Sequence, residues 1–252
     1  RQELRAATWR RLLEVQRVTE AVLFPEARWV AHEQIDLDRD GREELLIGTP
    51  RIDAGFSRLG GAMVELAYKP ETRSLIDLMG RRPELEHDRL QRAGVAEPRR
   101  RVDPLPPPVL SELAEVLEPR LRYDRYRRLC FLDHFLGAAA TLDNFYQCQY
   151  PEEGDFLEGL YEVTRVAYDR RVGEGLVHLS RNGQVGALQS TDVPPIRVEK
   201  IFTFDDRGAR IAVRYALTNR RHTPATFRFG VELGFAGALE PLGLAGRWQK
   251  LR

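Results

Sequence analysis

From residue 44 onward the chain returns again and again to short apolar segments of strand length, each closed by turn residues. They fall at about 44–47, 51–56, 62–68, 160–168, 176–181, 196–204, 209–219 and 225–235. Segments this short are too brief for amphipathic helices, and their recurrence specifies an all-β sandwich or barrel. One hairpin is explicit. Ile201-Phe202-Thr203-Phe204 passes through Asp205-Asp206-Arg207-Gly208 into Ala209-Arg210-Ile211, two strands around a tight acidic and glycine turn. Beyond it Ile211, Val213, Tyr215 and Leu217 alternate with Ala212, Arg214, Ala216 and Thr218, so one face of that strand is apolar.

Two stretches depart from this texture. At the start, Leu4, Trp9, Leu12, Leu13, Gln16, Val18 and Val22 recur near three-to-four spacing, with Arg5, Arg10, Arg11, Glu14, Arg17 and Glu20 on the other side. That spacing predicts a helix, ended near Phe24-Pro25 because proline disfavours helical geometry in its predecessor. Between about 81 and 108, Arg81-Arg82-Pro83, Arg99-Arg100-Arg101 and Pro104-Leu105-Pro106-Pro107-Pro108 predict a long polar surface loop, with Ser111 capping a short helix beyond it. The expected organisation is a helical lead-in over 1–28 and a β-sandwich domain over 29–252 that is truncated at its C-terminus. Residue 1 is Arg rather than Met, so the chain is expected to be a piece of something longer.

Composition narrows the function classes. The 252 residues carry 39 Lys and Arg against 38 Asp and Glu, a net charge of +1. All the basic residues except Lys69, Lys200 and Lys250 are arginine, but the acids cancel them, and a nucleic-acid binder needs a net basic surface. No apolar run approaches the ~20 residues that cross a bilayer, and the first residues lack the basic-then-apolar pattern of a signal peptide, so nothing argues for secretion. A cytoplasmic location is therefore expected, without nucleic-acid or membrane partners. Cys130 and Cys148 are too few for a disulfide framework and are expected as reduced core residues.

One segment has a sharp chemical reading. Asp36-Leu37-Asp38-Arg39-Asp40-Gly41-Arg42-Glu43-Glu44 places three carboxylates at alternate positions and then a glycine. A loop of that pattern can curl so that its oxygens face one point, as a hard cation such as Ca²⁺ requires. The expected ligands are Asp36, Asp38, Asp40, the backbone carbonyl of Arg42, and Glu44. Ile47 stands where an EF-hand has its acidic twelfth ligand, and a strand rather than a helix follows, so the loop is EF-hand-like only. The expected role of the Ca²⁺ is structural.

No nucleophile elbow, phosphate loop, H-E-x-x-H or C-x-x-C occurs, and no catalytic residue is nominated. Asp133-His134 lies within the apolar run Leu129–Leu136, which predicts a histidine satisfied inside the core. Around Phe145-Tyr146-Gln147-Cys148-Gln149-Tyr150, Tyr146 and Tyr150 are weak candidates for stacking on sugar rings.

Taken in order, five segments resemble a known family. They are the 36–44 loop with Leu45-Leu46-Ile47; Gly60-Gly61-Ala62-Met63-Val64-Glu65-Leu66; residues 74–84, from Ser74-Leu75-Ile76-Asp77-Leu78 to Arg82-Pro83-Glu84; residues 127–136; and Gly154-Asp155-Phe156 with Tyr161. Together they are similar to the C-terminal region of glycoside hydrolase family 57, the α-amylase and 4-α-glucanotransferase group, over about residues 30–235. The resemblance implies a large antiparallel β-supersandwich of the galactose-mutarotase-like type, preceded by a short helical segment. It also implies that the family's two catalytic carboxylates lie on an N-terminal barrel which has no counterpart here. The expected function is thus a non-catalytic β region that supports that barrel and walls an α-1,4-glucan cleft, with maltooligosaccharide as the partner. The alternatives are a free-standing carbohydrate-binding or assembly module, or a mutarotase-like epimerase built on His134 or His178 and a nearby acid.

Overall fold

A computed structural model of the chain describes residues 2–76, 80–85, 87–88, 115–117, 120–186, 195–206, 210–220 and 224–236. Most of the arginine- and proline-rich stretch, the cap at Ser111 and the segment after residue 236 lie outside these residues. The chain divides into two compact units, one of residues 1–78, 129–138 and 152–252, the other of 79–128 and 139–151.

The larger unit opens with helix α1 (Gln2–Leu23) and then carries every strand among the described residues. These are β1 (Ala31–Ile35), β2 (Glu44–Gly48), β3 (Ile52–Ser57), β4 (Ala62–Tyr68), β5 (Arg73–Ser74), β6 (Leu132–Leu136), β7 (Glu162–Asp169), β8 (Glu174–Gly183), β9 (Ile196–Asp205), β10 (Ile211–Asn219) and β11 (Arg228–Glu232). β1 to β5 form a five-stranded antiparallel meander, β10-β9-β8-β7 a four-stranded sheet, and β6 pairs with β11. The antiparallel β-supersandwich expected from the sequence is the architecture found.

Alternation explains the core. In β9 the residues Ile196, Val198, Lys200, Phe202 and Phe204 are buried while their neighbours are half-exposed. Phe202 and Phe204 meet Phe56 of β3 with ring centroids 4.7 and 6.1 Å apart, so the two larger sheets share one apolar interior. Tilted and edge-on ring contacts of this kind add to the gain from burial. Gly60 and Gly61, both at positive φ (69° and 53°), turn the chain from β3 into β4. A Cβ on Gly61 would lie 2.7 Å from the ring of Tyr161, so this position needs glycine for room as well as for backbone conformation.

Helix α1 ends at Leu23, ahead of Pro25 as expected. Its buried side is not the apolar stripe of the sequence. Leu13 is its one fully buried apolar side chain, flanked by half-buried Trp9, Gln16 and Glu20, whereas Leu4, Leu12, Val15, Val18, Val22 and Leu23 are 55–78% exposed. A polar latch holds the helix instead. Lys69, itself buried, sits 2.6 Å from Glu20, 2.8 Å from Asp53 and 2.7 Å from the carbonyl of Thr49. Gln16 bridges both carboxylates, donating to Glu20 at 2.9 Å and Asp53 at 2.8 Å.

In the smaller unit Asp124 accepts from Arg81 at 2.6 Å and Arg128 at 2.8 Å. Burial would raise its pKa, but these donors outweigh it and bring the carboxyl down to about 2. A short helix α2 (Leu142–Tyr146) follows, closed by a capping box between Thr141 and Asn144.

Candidate metal loop and buried polar centre

The 36–44 segment is the β1–β2 hairpin loop, closed by the pair Ile35 and Glu44. Its bend is made by Arg39 and Gly41, at φ 62° and 87°. Asp36 accepts the amides of Asp40 and Gly41, each at 3.0 Å, and Asp40 accepts the amide of Arg42 at 2.8 Å. The effect is to draw the three aspartates together, with one carboxylate oxygen from each lying within 4.8 Å of the others. Glu44 is buried beneath the loop and accepts the Leu37 amide at 3.1 Å. Burial raises its pKa, and the charges of Asp38, Asp40 and Asp36 push it the same way. Arg42 enters through its backbone alone in the contacts of this loop. Like charges so placed repel, and a hard cation with oxygen ligands is the species that would relieve them.

The second cluster lies within the sandwich. Lys200 takes an inward position of β9 and is fully buried, donating to the carbonyls of Phe131 at 2.6 Å, Gly60 at 2.8 Å and Gly61 at 3.0 Å. Its Nζ also lies 2.9 Å from Asp133 of β6, and it sits over the ring of Tyr161, 4.5 Å from the centroid. The Tyr161 hydroxyl donates to the same carboxylate. The other Asp133 oxygen and the Tyr215 hydroxyl are buried without a well-formed hydrogen bond, and burial together with the Asp133 charge pushes the Tyr215 hydroxyl well above the ordinary tyrosine range. Burial pushes Lys200 down and Asp133 up, so the two attract while both resist ionisation.

Next to it, buried His134 faces Glu152 through Nδ1 at 2.8 Å and Glu232 through Nε2 at 3.1 Å. Burial alone would lower its pKa, but the two carboxylates outweigh that and raise it, favouring the imidazolium form. The histidine satisfied in the core is what the sequence predicted. Being sealed from solvent, His134 offers no access to a sugar, which removes the geometric ground for an epimerase there. His178, half-exposed on β8, pairs with Glu199 at 3.2 Å.

Both cysteines are buried. Burial pushes Cys130 up to about 12, which leaves it an inert thiol. Of the two aromatic candidates, Tyr146 is exposed, with the Arg81 guanidinium 5.1 Å from its ring centroid. Tyr150 is buried, its hydroxyl donating to that of Tyr126 at 3.2 Å, and it presents no face on which a sugar could stack. The centre around Lys200 was not identified from sequence. Its one signal was a lysine in register with four apolar residues of β9.

An antiparallel supersandwich preceded by a helix, with ion pairs buried in its interior, is the architecture of an all-β region and not of a barrel of alternating strands and helices. Residues 36–241 match the family described as Alpha-amylase/4-alpha-glucanotransferase, C-terminal, and the chain belongs to it, as the resemblance to glycoside hydrolase family 57 implied. An α-amylase of Pyrococcus abyssi is 33% identical over 211 residues, which cover 80% of this chain and 28% of that protein. A 4-α-glucanotransferase of Thermococcus kodakarensis is 30% identical over 241 residues, 92% of this chain and 31% of that protein. The crystal structure of the 4-α-glucanotransferase of Thermococcus litoralis superposes with a TM-score of 0.66 at 26% identity, covering 92% of this chain and 31% of that one. The chain therefore spans about a third of the length of the relatives it matches.

Proposed function

We propose that this chain is the non-catalytic β-supersandwich region of a cytoplasmic enzyme that hydrolyses or transfers α-1,4-glucan chains. In this reading it packs against an N-terminal catalytic barrel and walls one side of the glucan cleft. The observation that carries it is the outer face of α1, where six aliphatic side chains stand in solvent. Each is more than half exposed, and a monomer seldom leaves a run of large aliphatic side chains uncovered in this way. A helix latched to a sheet on one side and apolar on the other fits a place between two layers of a larger protein. The relatives, an α-amylase and a 4-α-glucanotransferase by name, carry about two-thirds of their length outside the match. Among the described residues no helix is long and apolar enough to cross a membrane.

The loop at 36–44 is proposed to hold a structural Ca²⁺ through Asp36, Asp38, Asp40 and the carbonyl of Arg42, with Glu44 beneath. Converging carboxylates on a bent hairpin support this.

An activity assay on maltooligosaccharides tests the functional reading. The 252-residue chain is expected to be inactive, and the full-length protein to shorten or disproportionate the substrate with retention of the α-anomer. Turnover by the chain alone overturns the reading.

A further inference from the structure

Both larger sheets end at the same side of the sandwich. There β1, the edge of the five-stranded sheet, and β7, the edge of the four-stranded one, border an open groove of about 490 Å³. It is lined by His32, Glu33 and Gln34 from β1 and by Val163, Thr164, Arg165 and Val166 from β7. The volume falls in the ~300–1,000 Å³ span of small-molecule sites. Thr164 is tied to the carbonyl of His178 at 3.1 Å. The side chains of His32, Glu33, Gln34 and Arg165 have no hydrogen-bond or ion-pair partner among the described residues. Four exposed polar groups at one groove are thus bonded to water and not to protein, and a ligand could take the place of that water.

The chemistry of the lining selects among occupants. An added polypeptide strand is opposed by the register shift at Val163/Arg165, which interrupts the ladder on β7, and by charged side chains on both edges. An ion is opposed by the balance of Glu33 against Arg165. What remains is a neutral polyhydroxylated molecule, with hydroxyls that both donate and accept and with apolar C–H faces. Gln34 and His32 can donate and accept, Glu33 accepts and Arg165 donates, while Val163 and Val166 supply apolar surface for a ring face.

We infer that this groove is an α-glucan-binding subsite that takes a short maltooligosaccharide segment, holding substrate on the supporting region itself. The inference rests on the α-glucan reading above. Ligand-induced amide shifts in the ¹⁵N-labelled chain, titrated with maltotriose, test it. Shifts are expected to cluster at 31–35 and 162–167. Gln34→Ala and Arg165→Ala are each expected to weaken binding about tenfold with the melting temperature unchanged, since both side chains lie at sheet edges. Absence of shifts, shifts centred elsewhere, binding unmoved by both variants, or equal binding of cellotriose overturns the subsite. None of those results touches the functional reading, which fails separately if the full-length protein does not act on α-glucans.

Discussion

A lysine in the interior of a β-sandwich must be held by acceptors or it will not stay, and Lys200 is held by three carbonyls and Asp133. The energetic consequence is asymmetric. Two ions attract inside the core, but each was costly to bring there, so removing one strands the other. Lys200→Met keeps the length of the side chain and leaves Asp133 with the Tyr161 hydroxyl alone. Chemical denaturation is expected to show a loss of about 3–5 kcal/mol. In Lys200→Met with Asp133→Asn the buried charge is gone, and the double variant is expected to recover at least about 1 kcal/mol over Lys200→Met. Strict additivity of the two losses would mean that the pair is not coupled. Half of this centre could be read from sequence, because Lys200 breaks an otherwise apolar alternation in β9. Its partner could not, because Asp133 precedes Lys200 by 67 positions and nothing local encodes that meeting.

Elements were legible in proportion to how much of their own burial they carry. β4 was placed at 62–68, its observed span, and β2, β3, β8 and β9 within a few residues, because each has apolar residues on the side it buries. β1 was not seen: Ala31-His32-Glu33-Gln34-Ile35 is polar and exposed, a strand by virtue of its partner β2 rather than its own pattern. β5 has two residues, and β6 looked like a general apolar run. For α1 the period was right and the buried side was wrong. Periodicity says that a stripe exists, whereas the sheet took the polar side because Lys69 waits there for Glu20. The β1–β2 loop was legible as a motif, and the Ca²⁺ proposed for it is open to direct measurement. If Ca²⁺ binds, a free concentration one hundredfold above Kd adds about 2.7 kcal/mol. At about 2–4 °C per kcal/mol for a domain of this size, the melting temperature is expected to rise by about 5–10 °C. Asp38→Ala, which removes one converging carboxylate, is expected to abolish the rise, and a melting temperature indifferent to both Ca²⁺ and chelator would sink the proposal.

At the scale of the whole molecule, the buried acids give stability an unusual dependence on pH. Beneath α1 the carboxylates of Glu20 and Asp53 share the one cation Lys69, and Glu65 of β4 stands near Asp53 without an ion pair among the described residues. Burial pushes Asp53 up to about 6 and Glu65 up to about 7, with the charge of Glu20 adding to the rise of Asp53 and the charge of Asp53 adding to that of Glu65. A carboxyl raised in the fold binds its proton more tightly folded than unfolded. Its contribution is complete below the unfolded pKa near 4 and is lost as pH rises through the folded value. The imidazolium of His134, also raised, acts in the same direction: its contribution is present below about 6.5 and lost above its folded pKa. Asp124 runs the other way, stabilising above about 4 and failing as pH falls through about 2. The expected profile therefore declines from pH 5 to pH 8, by about 2–4 kcal/mol in denaturation free energy, where many proteins are level. Glu65→Gln removes the carboxyl that burial raises to about 7 while keeping the shape of the side chain. It is expected to stabilise the chain at pH 8 by about 2 kcal/mol, to do almost nothing at pH 4, and to flatten the decline. A gain equal at both pH values would place the effect in packing rather than in the buried charge.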